Sequence, residues 1–278
     1  MNYVDAHVHV WTPDTAHYSL AAGFKKEDMK PASFTPQDLF KHSKPAGVTR
    51  VNLIQMSYYG FDNTYMLDMI KLYPEVFVGT AVIDPQAEPV KRMRELAPRG
   101  VRAFRIYPAL TKAQKWLEPE GYAAMFAEGA KANQAMSCLI GPTDLPELDR
   151  MCTKYPDAPV IIDHLCRIGA DGTIREADVD ALCKMAKHKR VMVKVGAFYA
   201  FGAKMPPYTD LAPLVKSVIR AFGAKRCMWE SDCPFQVGPG HTYQESVDLV
   251  VKKLDFLTAD ERDWLMRRTA EEFFFKKP

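Results

Sequence analysis

The chain lacks any run of about 18 consecutive apolar residues, so no membrane-spanning helix is expected. Met1 leads into a polar-interrupted strand rather than a signal peptide, and we therefore expect a cytoplasmic protein without a membrane partner. Net charge is also scarce: 37 Lys and Arg stand against 34 Asp and Glu, and the two signs interleave, as in Lys91-Arg-Met-Arg-Glu95. That pattern reads as solvated helix faces and predicts no nucleic-acid partner. The six cysteines include no CxxC pair and mostly sit in apolar runs, which suggests reduced core thiols rather than a disulfide or metal framework. No Gly-rich phosphate loop follows the first strand, and no low-complexity linker divides the chain. The first absence weighs against a dinucleotide-binding open sheet, and the second leaves one domain over residues 1–278.

What the chain does have is alternation. Short β-branched or apolar runs at 3–10, 47–56, 77–83, 100–107, 136–140, 159–163, 191–195 and 226–229 predict eight strands. Helical spacing fills the intervals at 63–73, 90–96, 118–133, 145–154, 177–187 and 211–222, with 242–257 and 260–275 at the end. An earlier helix starts at Thr35, a natural N-cap, with Pro36 in the first helical position. Strands alternating with helices imply parallel βαβ units, and eight of them predict a closed (β/α)8 TIM barrel of the α/β class.

In such a barrel, chemistry gathers at the carboxyl ends of the strands. The first run, Tyr3-Val-Asp-Ala-His-Val-His-Val10, carries His7 and His9 two residues apart, on one face of a strand. A histidine pair alone is as compatible with packing as with a site. Further polar groups end other strands: Phe104-Arg-Ile-Tyr-Pro108, Ile162-Asp-His-Leu165, Val193-Lys-Val195 and Trp229-Glu-Ser-Asp-Cys-Pro234. Ionisable groups there, where packing alone would favour Leu or Val, point jointly to a site at the barrel mouth.

With these motifs the chain resembles the amidohydrolase superfamily, and within it the amidohydrolase-2 group of sugar lactonases, pyrone dicarboxylate lactonases and related decarboxylases. The resemblance rests on Asp5-Ala-His-Val-His9, Ile161-Ile-Asp-His164, Val193-Lys-Val-Gly196 and Glu230-Ser-Asp-Cys-Pro234, in order and at strand ends. It covers nearly the whole chain, and the compact length is closer to the lactonase branch. It implies hydrolysis of a small lactone, either of a sugar acid or of an aromatic catabolite. Asp232 would activate the attacking water, while His7, His9 and His164 polarise the carbonyl or, with Asp232, hold one zinc or manganese ion. The chemistry of the side chains suits either role. Strand 5, Met136-Ser-Cys-Leu-Ile-Gly141, lacks the histidine that many metal-dependent relatives place there, and catalysis without metal stands as the equal alternative. A metal-dependent decarboxylase of a small aromatic acid is the competing function.

Substrate contacts are less legible. Arg105 suits a carboxylate, with Tyr107, Lys194, Arg167 and His241 as further candidates. Lys194 faces the barrel interior or the helices depending on register. The aromatic loop from Trp11 to Ser33 is expected to form a lid or wall of the pocket. Phe273, Phe274 and Phe275 are expected to cap the barrel base or to pack on a second copy in a homo-oligomer. The expected partner is a small-molecule substrate.

Overall fold

The computed structural model describes residues 2–108 and 115–276. Eight parallel strands follow one another around a single sheet in sequence order: β1 Tyr3–Val8, β2 Val48–Ile54, β3 Phe77–Ala81, β4 Val101–Ile106, β5 Ala135–Cys138, β6 Val160–Ile162, β7 Val191–Gly196 and β8 Cys227–Glu230. A parallel bridge between Val8 and Cys233 joins the last strand to the first. Around it, Asp232 donates its backbone N–H to His7 O at 3.0 Å, and His9 donates to Cys233 O at 2.8 Å. The expected (β/α)8 barrel is therefore the observed fold.

Helices cover the outside: α1 Pro36–Ser43, α2 Thr64–Leu72, α3 Pro89–Leu96, α4 Glu120–Ala132, α5 Leu145–Lys154, α6 Glu176–Lys184, α7 Ala212–Phe222, α8 Tyr243–Asp248 and α9 Ala259–Asp263. Thr35 caps α1 as expected: its side chain accepts from Asp38 N, the Asp38 carboxylate accepts from Thr35 N, and Pro36 opens the first turn. Thr242 and Thr258 start α8 and α9 with the same reciprocal box. Both of these last helices run on through wider turns, over Leu249–Lys253 and over Trp264–Arg268.

The strand interiors form two layers. Seven strands contribute to a compact apolar cluster, with Val4, Ala6, Val78, Ala103, Ala135, Ile161, Met192 and Met228 packed against Phe274, flanked by Phe273 and Phe275. The C-terminal phenylalanines thus cap the barrel's own base. Two residues further along the strands, on the same side of each, the side chains turn polar: Thr80, Arg105, Ser137, Asp163, Lys194 and Glu230. Among the described residues, no helix is long and apolar enough to cross a membrane.

Candidate active site

The polar layer is a connected network, as burial of so many charges demands. Lys194, Asp163 and Glu230 are all fully buried. Lys194 Nζ sits 2.9 Å from Asp163 Oδ1, within 3.0 Å of His7 Nδ1 and 3.4 Å from Ser137 Oγ. Ser137 in turn donates to Asp163 Oδ1 at 2.8 Å. Burial alone would raise the Asp163 pKa, but the Lys194 and Arg105 cations outweigh it and hold the carboxyl below its ordinary value. Lys194 therefore points into the barrel, as one of its two possible registers required, but it lies beneath His7 and does not line the cavity.

Above this layer His7 and His9 converge with Asp232. The two imidazole Nε2 atoms are 3.2 Å apart, and each is 3.5 Å from Asp232 Oδ1. His9 Nδ1 lies 3.1 Å from Ile54 O, a carbonyl that can only accept, so Nδ1 carries the proton and the Nε2 lone pair faces the barrel mouth. Burial depresses both histidine pKa values, helped at His7 by the Lys194 charge and opposed at His9 by Asp232, so both rings are neutral near pH 7. Asp232 has the reverse balance. Burial would raise it, but the nearby His164 charge and the hydrogen bond from Tyr199 oppose this, and its pKa comes down to about 2. Tyr199 donates to Oδ2 at 2.6 Å, while Oδ1 is buried without a hydrogen-bond partner among the described residues.

His164 enters from the other side. Its Nδ1 is 2.7 Å from Glu230 Oε1 and its Nε2 is 3.4 Å from Arg105 Nη2. Burial acts to lower its pKa, but the Glu230 and Asp232 carboxylates outweigh this and raise it. The backbone here is strained: His164, Leu165, Cys166 and Arg167 hold φ of 54, 49, 56 and 55° in succession. Left-handed conformations cost about 1–2 kcal/mol per non-glycine residue. Fully buried Leu165 and Cys166 hold the turn in place, and Cys166 N donates to Asp163 O at 3.1 Å. Asp232, with φ 60°, is set off β8 in the same way.

His9, Arg105, His164, Tyr199 and Asp232 line one cavity of about 770 Å³ at the carboxyl ends of the strands. Tyr107 and Arg167 also line it, and the first loop supplies Ala21, Ala22 and Phe24 as a wall. Arg105 points inward, its Nε 3.9 Å from Asp163 Oδ2 and its Nη1 3.4 Å from His9 Nε2. His241 stands behind the cavity wall, its Nδ1 2.8 Å from Tyr208 OH, and it is not part of the lining. Tyr199, Asp163 and Glu230 were not among the site residues read from sequence. The first had no signal, since it lies in a loop after β7. Of the other two, Asp163 directly precedes His164 and Glu230 stands two residues before Asp232, and both were masked by these more conspicuous neighbours.

The donors suit a metal ion. A tetrahedral ion with bonds of about 2.1 Å sets its ligand atoms about 3.4 Å apart, and the His7, His9 and Asp232 atoms are spaced 3.2, 3.5 and 3.5 Å. The partnerless Asp232 Oδ1 is the kind of buried orphan an ion would satisfy. His164 does not complete a four-donor set with these three; it groups instead with His7 and Asp163. The reason is local, since Glu230 fixes its Nδ1 and its Nε2 faces the Arg105 cation. Cys138, fully buried on β5, joins neither group.

The amidohydrolase family model matches residues 4–276. An L-fucono-1,5-lactonase of Burkholderia ambifaria is 25% identical over 248 residues, spanning 86% of this chain and 82% of that protein. Among solved structures, a probable 2-pyrone-4,6-dicarboxylic acid hydrolase of Acinetobacter baumannii superimposes with a TM-score of 0.80 at 22% identity, over 99% of both chains. A Burkholderia multivorans amidohydrolase with bound zinc gives the same TM-score at 20% identity, again over 99% of each chain.

Proposed function

The chain belongs to the amidohydrolase family and is a hydrolase, and from that premise we propose that it opens a small lactone by attack of water at the barrel mouth. Sugar-acid and aromatic-catabolite lactones are the two substrate classes considered, in keeping with the lactonase and the pyrone dicarboxylic acid hydrolase it resembles. The reading is carried by Asp232, an ionised residue that lines the cavity and whose Oδ1, beside two neutral imidazoles, has no hydrogen-bond partner among the described residues.

A lactone carbonyl over this floor meets donors on one side and a proton acceptor on the other. Asp232 takes a proton from the water as its oxygen bonds to the carbonyl carbon. His164, with its pKa raised, and Arg105 supply positive charge toward the developing oxyanion. On collapse the C–O bond of the ring breaks, and the proton held by Asp232 passes to the leaving alkoxide. The product is a hydroxy acid. A carboxyl with a pKa of about 2 is a weak base at rest, so it holds the proton only transiently and returns it readily. Tyr199 keeps Oδ2 occupied, which leaves Oδ1 to act.

His7, His9 and Asp232 would hold a divalent ion such as zinc. When bound, it would add Lewis-acid polarisation and lower the pKa of water. The competing decarboxylase reading calls on these three donors together with His164. The deciding experiment is a lactone hydrolysis assay on protein of measured metal content, before and after chelation, beside an assay for CO2 release from aromatic acids. Ring opening without CO2 release supports the proposal, and CO2 release without ring opening overturns it.

A further inference from the structure

The cavity is built unevenly. Its floor is ionic, formed by His9, Arg105, His164 and Asp232, whereas the walls above are mainly apolar, with Met56, Val82, Leu139, Phe201 and Phe235 among them. At the outer edge stand Phe24 and Phe61, which are 38% and 48% exposed. Among the described residues these are two of the four large hydrophobic side chains that are more than about a third exposed. Exposed aromatic area concentrated at the lip of a cavity marks a surface that something apolar covers.

Polar groups above the floor are few, and some are already committed. Gln55 lines the cavity, but its amide nitrogen already donates to Gly60 O and Asp62 O. Tyr199 gives its hydroxyl to Asp232. Ser57, Tyr107 and Arg167 remain. A polyhydroxylated ring would exchange several water hydrogen bonds for contacts with phenylalanine, leucine and valine, which is unfavourable for each hydroxyl left unpaired. Size points the same way. A cavity of about 770 Å³ lies in the range that encloses drug-sized ligands, so a bare lactone ring on the floor leaves most of it unfilled.

Resting on the lactonase reading, we propose that the substrate is a lactone bearing an alkyl or aryl substituent, which lies along the wall of Phe24, Phe61 and Phe201 while the ring carbonyl meets the ionic floor. Such a substrate supplies the apolar area that the walls can cover. The sugar-acid class is thereby disfavoured.

The test is a kcat/KM series on the full-length enzyme with δ-lactones carrying hydrogen, methyl, propyl or pentyl at the carbon next to the ring oxygen, with D-glucono-1,5-lactone alongside. Expected is a rise of about fourfold per methylene, the value of burying one in an apolar pocket, with the sugar lactone slower than the propyl compound. Phe61→Ser and Phe24→Ser, at exposed positions where folding is not at stake, should each lower the slope of the series. A flat series, or a faster sugar lactone, overturns the inference while leaving lactone hydrolysis intact. If no lactone is opened, the function itself falls. Calorimetric binding of the corresponding 5-hydroxyalkanoates then reads the walls separately, and equal affinity at every chain length overturns the apolar substituent.

Discussion

Lys194 Nζ lies 3.0 Å from His7 Nδ1, and Glu230 Oε2 lies 3.1 Å from the same nitrogen. The two neighbours demand opposite tautomers. If Lys194 donates, His7 carries its proton on Nε2 and can only give a hydrogen bond to His9 or Asp232. If Nδ1–H points to Glu230, the Nε2 lone pair is free for a metal ion. The competition between an ammonium and a carboxylate for one nitrogen thus decides what the site can hold.

Replacing Lys194 by Met removes one competitor, and zinc affinity measured by chelator competition should rise. The same change leaves Asp163 buried beside a more distant Arg105, so unfolding free energy in urea should fall by about 3–5 kcal/mol. Unchanged zinc affinity would mean that Lys194 does not set the His7 tautomer.

Asp232→Asn keeps the size of the side chain but removes the proton acceptor. Lactone kcat should fall by about 10²–10⁴-fold with little change in KM. The steady-state parameters decide it, and a variant within tenfold of wild type would remove Asp232 from the base role.

His164 depends on Glu230 for its raised pKa. In Glu230→Gln the imidazolium should lose its proton at lower pH, so the alkaline limb of the kcat/KM profile moves toward acid. Activity at pH 8 then falls more than activity at pH 6. Parallel profiles for the two proteins would exclude a charged His164 from the rate-limiting step.

Asp5 is fully buried under the site, accepting from His7 N at 3.1 Å, Ser231 N at 2.9 Å and Tyr243 OH at 2.6 Å. Burial nevertheless pushes its pKa up to about 7, from 3.8 for the unperturbed carboxyl. A raised acid favours folding fully below the unfolded value, and that contribution is lost as pH climbs through the folded one. The loss amounts to about 4 kcal/mol between roughly pH 4 and 7. Thermal melts across this range should therefore show a flatter pH dependence for Asp5→Asn than for wild type. An identical slope would mean that Asp5 folds as the carboxylate.

The barrel itself was legible because each strand and helix carries its own period, and the eight repeats leave few ways to close. His7, His9, His164 and Asp232 were legible because they interrupt or terminate apolar runs. The polar layer beneath them was much less so. A strand buried on both faces reads as one apolar run, and single residues such as Ser137, Asp163 and Lys194 within or beside it carry no sign of which way they point. Only the observed register shows that each sits two positions beyond an apolar neighbour on the same interior side. The left-handed turn after β6 had no sequence signal either, because Leu165 and Cys166 are poor residues for that conformation and are held there by burial.

The seam of the barrel is also a seam of the site. His7 and Asp232 come from opposite ends of the sequence, and the backbone bond from Asp232 N to His7 O fastens them where the last strand docks on the first. Any partly folded form in which that final unit is still undocked has its proton acceptor detached from its imidazoles. Recovery of activity during refolding would therefore time the closing of the ring, independently of how early the separate helices form. Two fragments cut in a surface loop would stay silent apart and report their reunion by turnover.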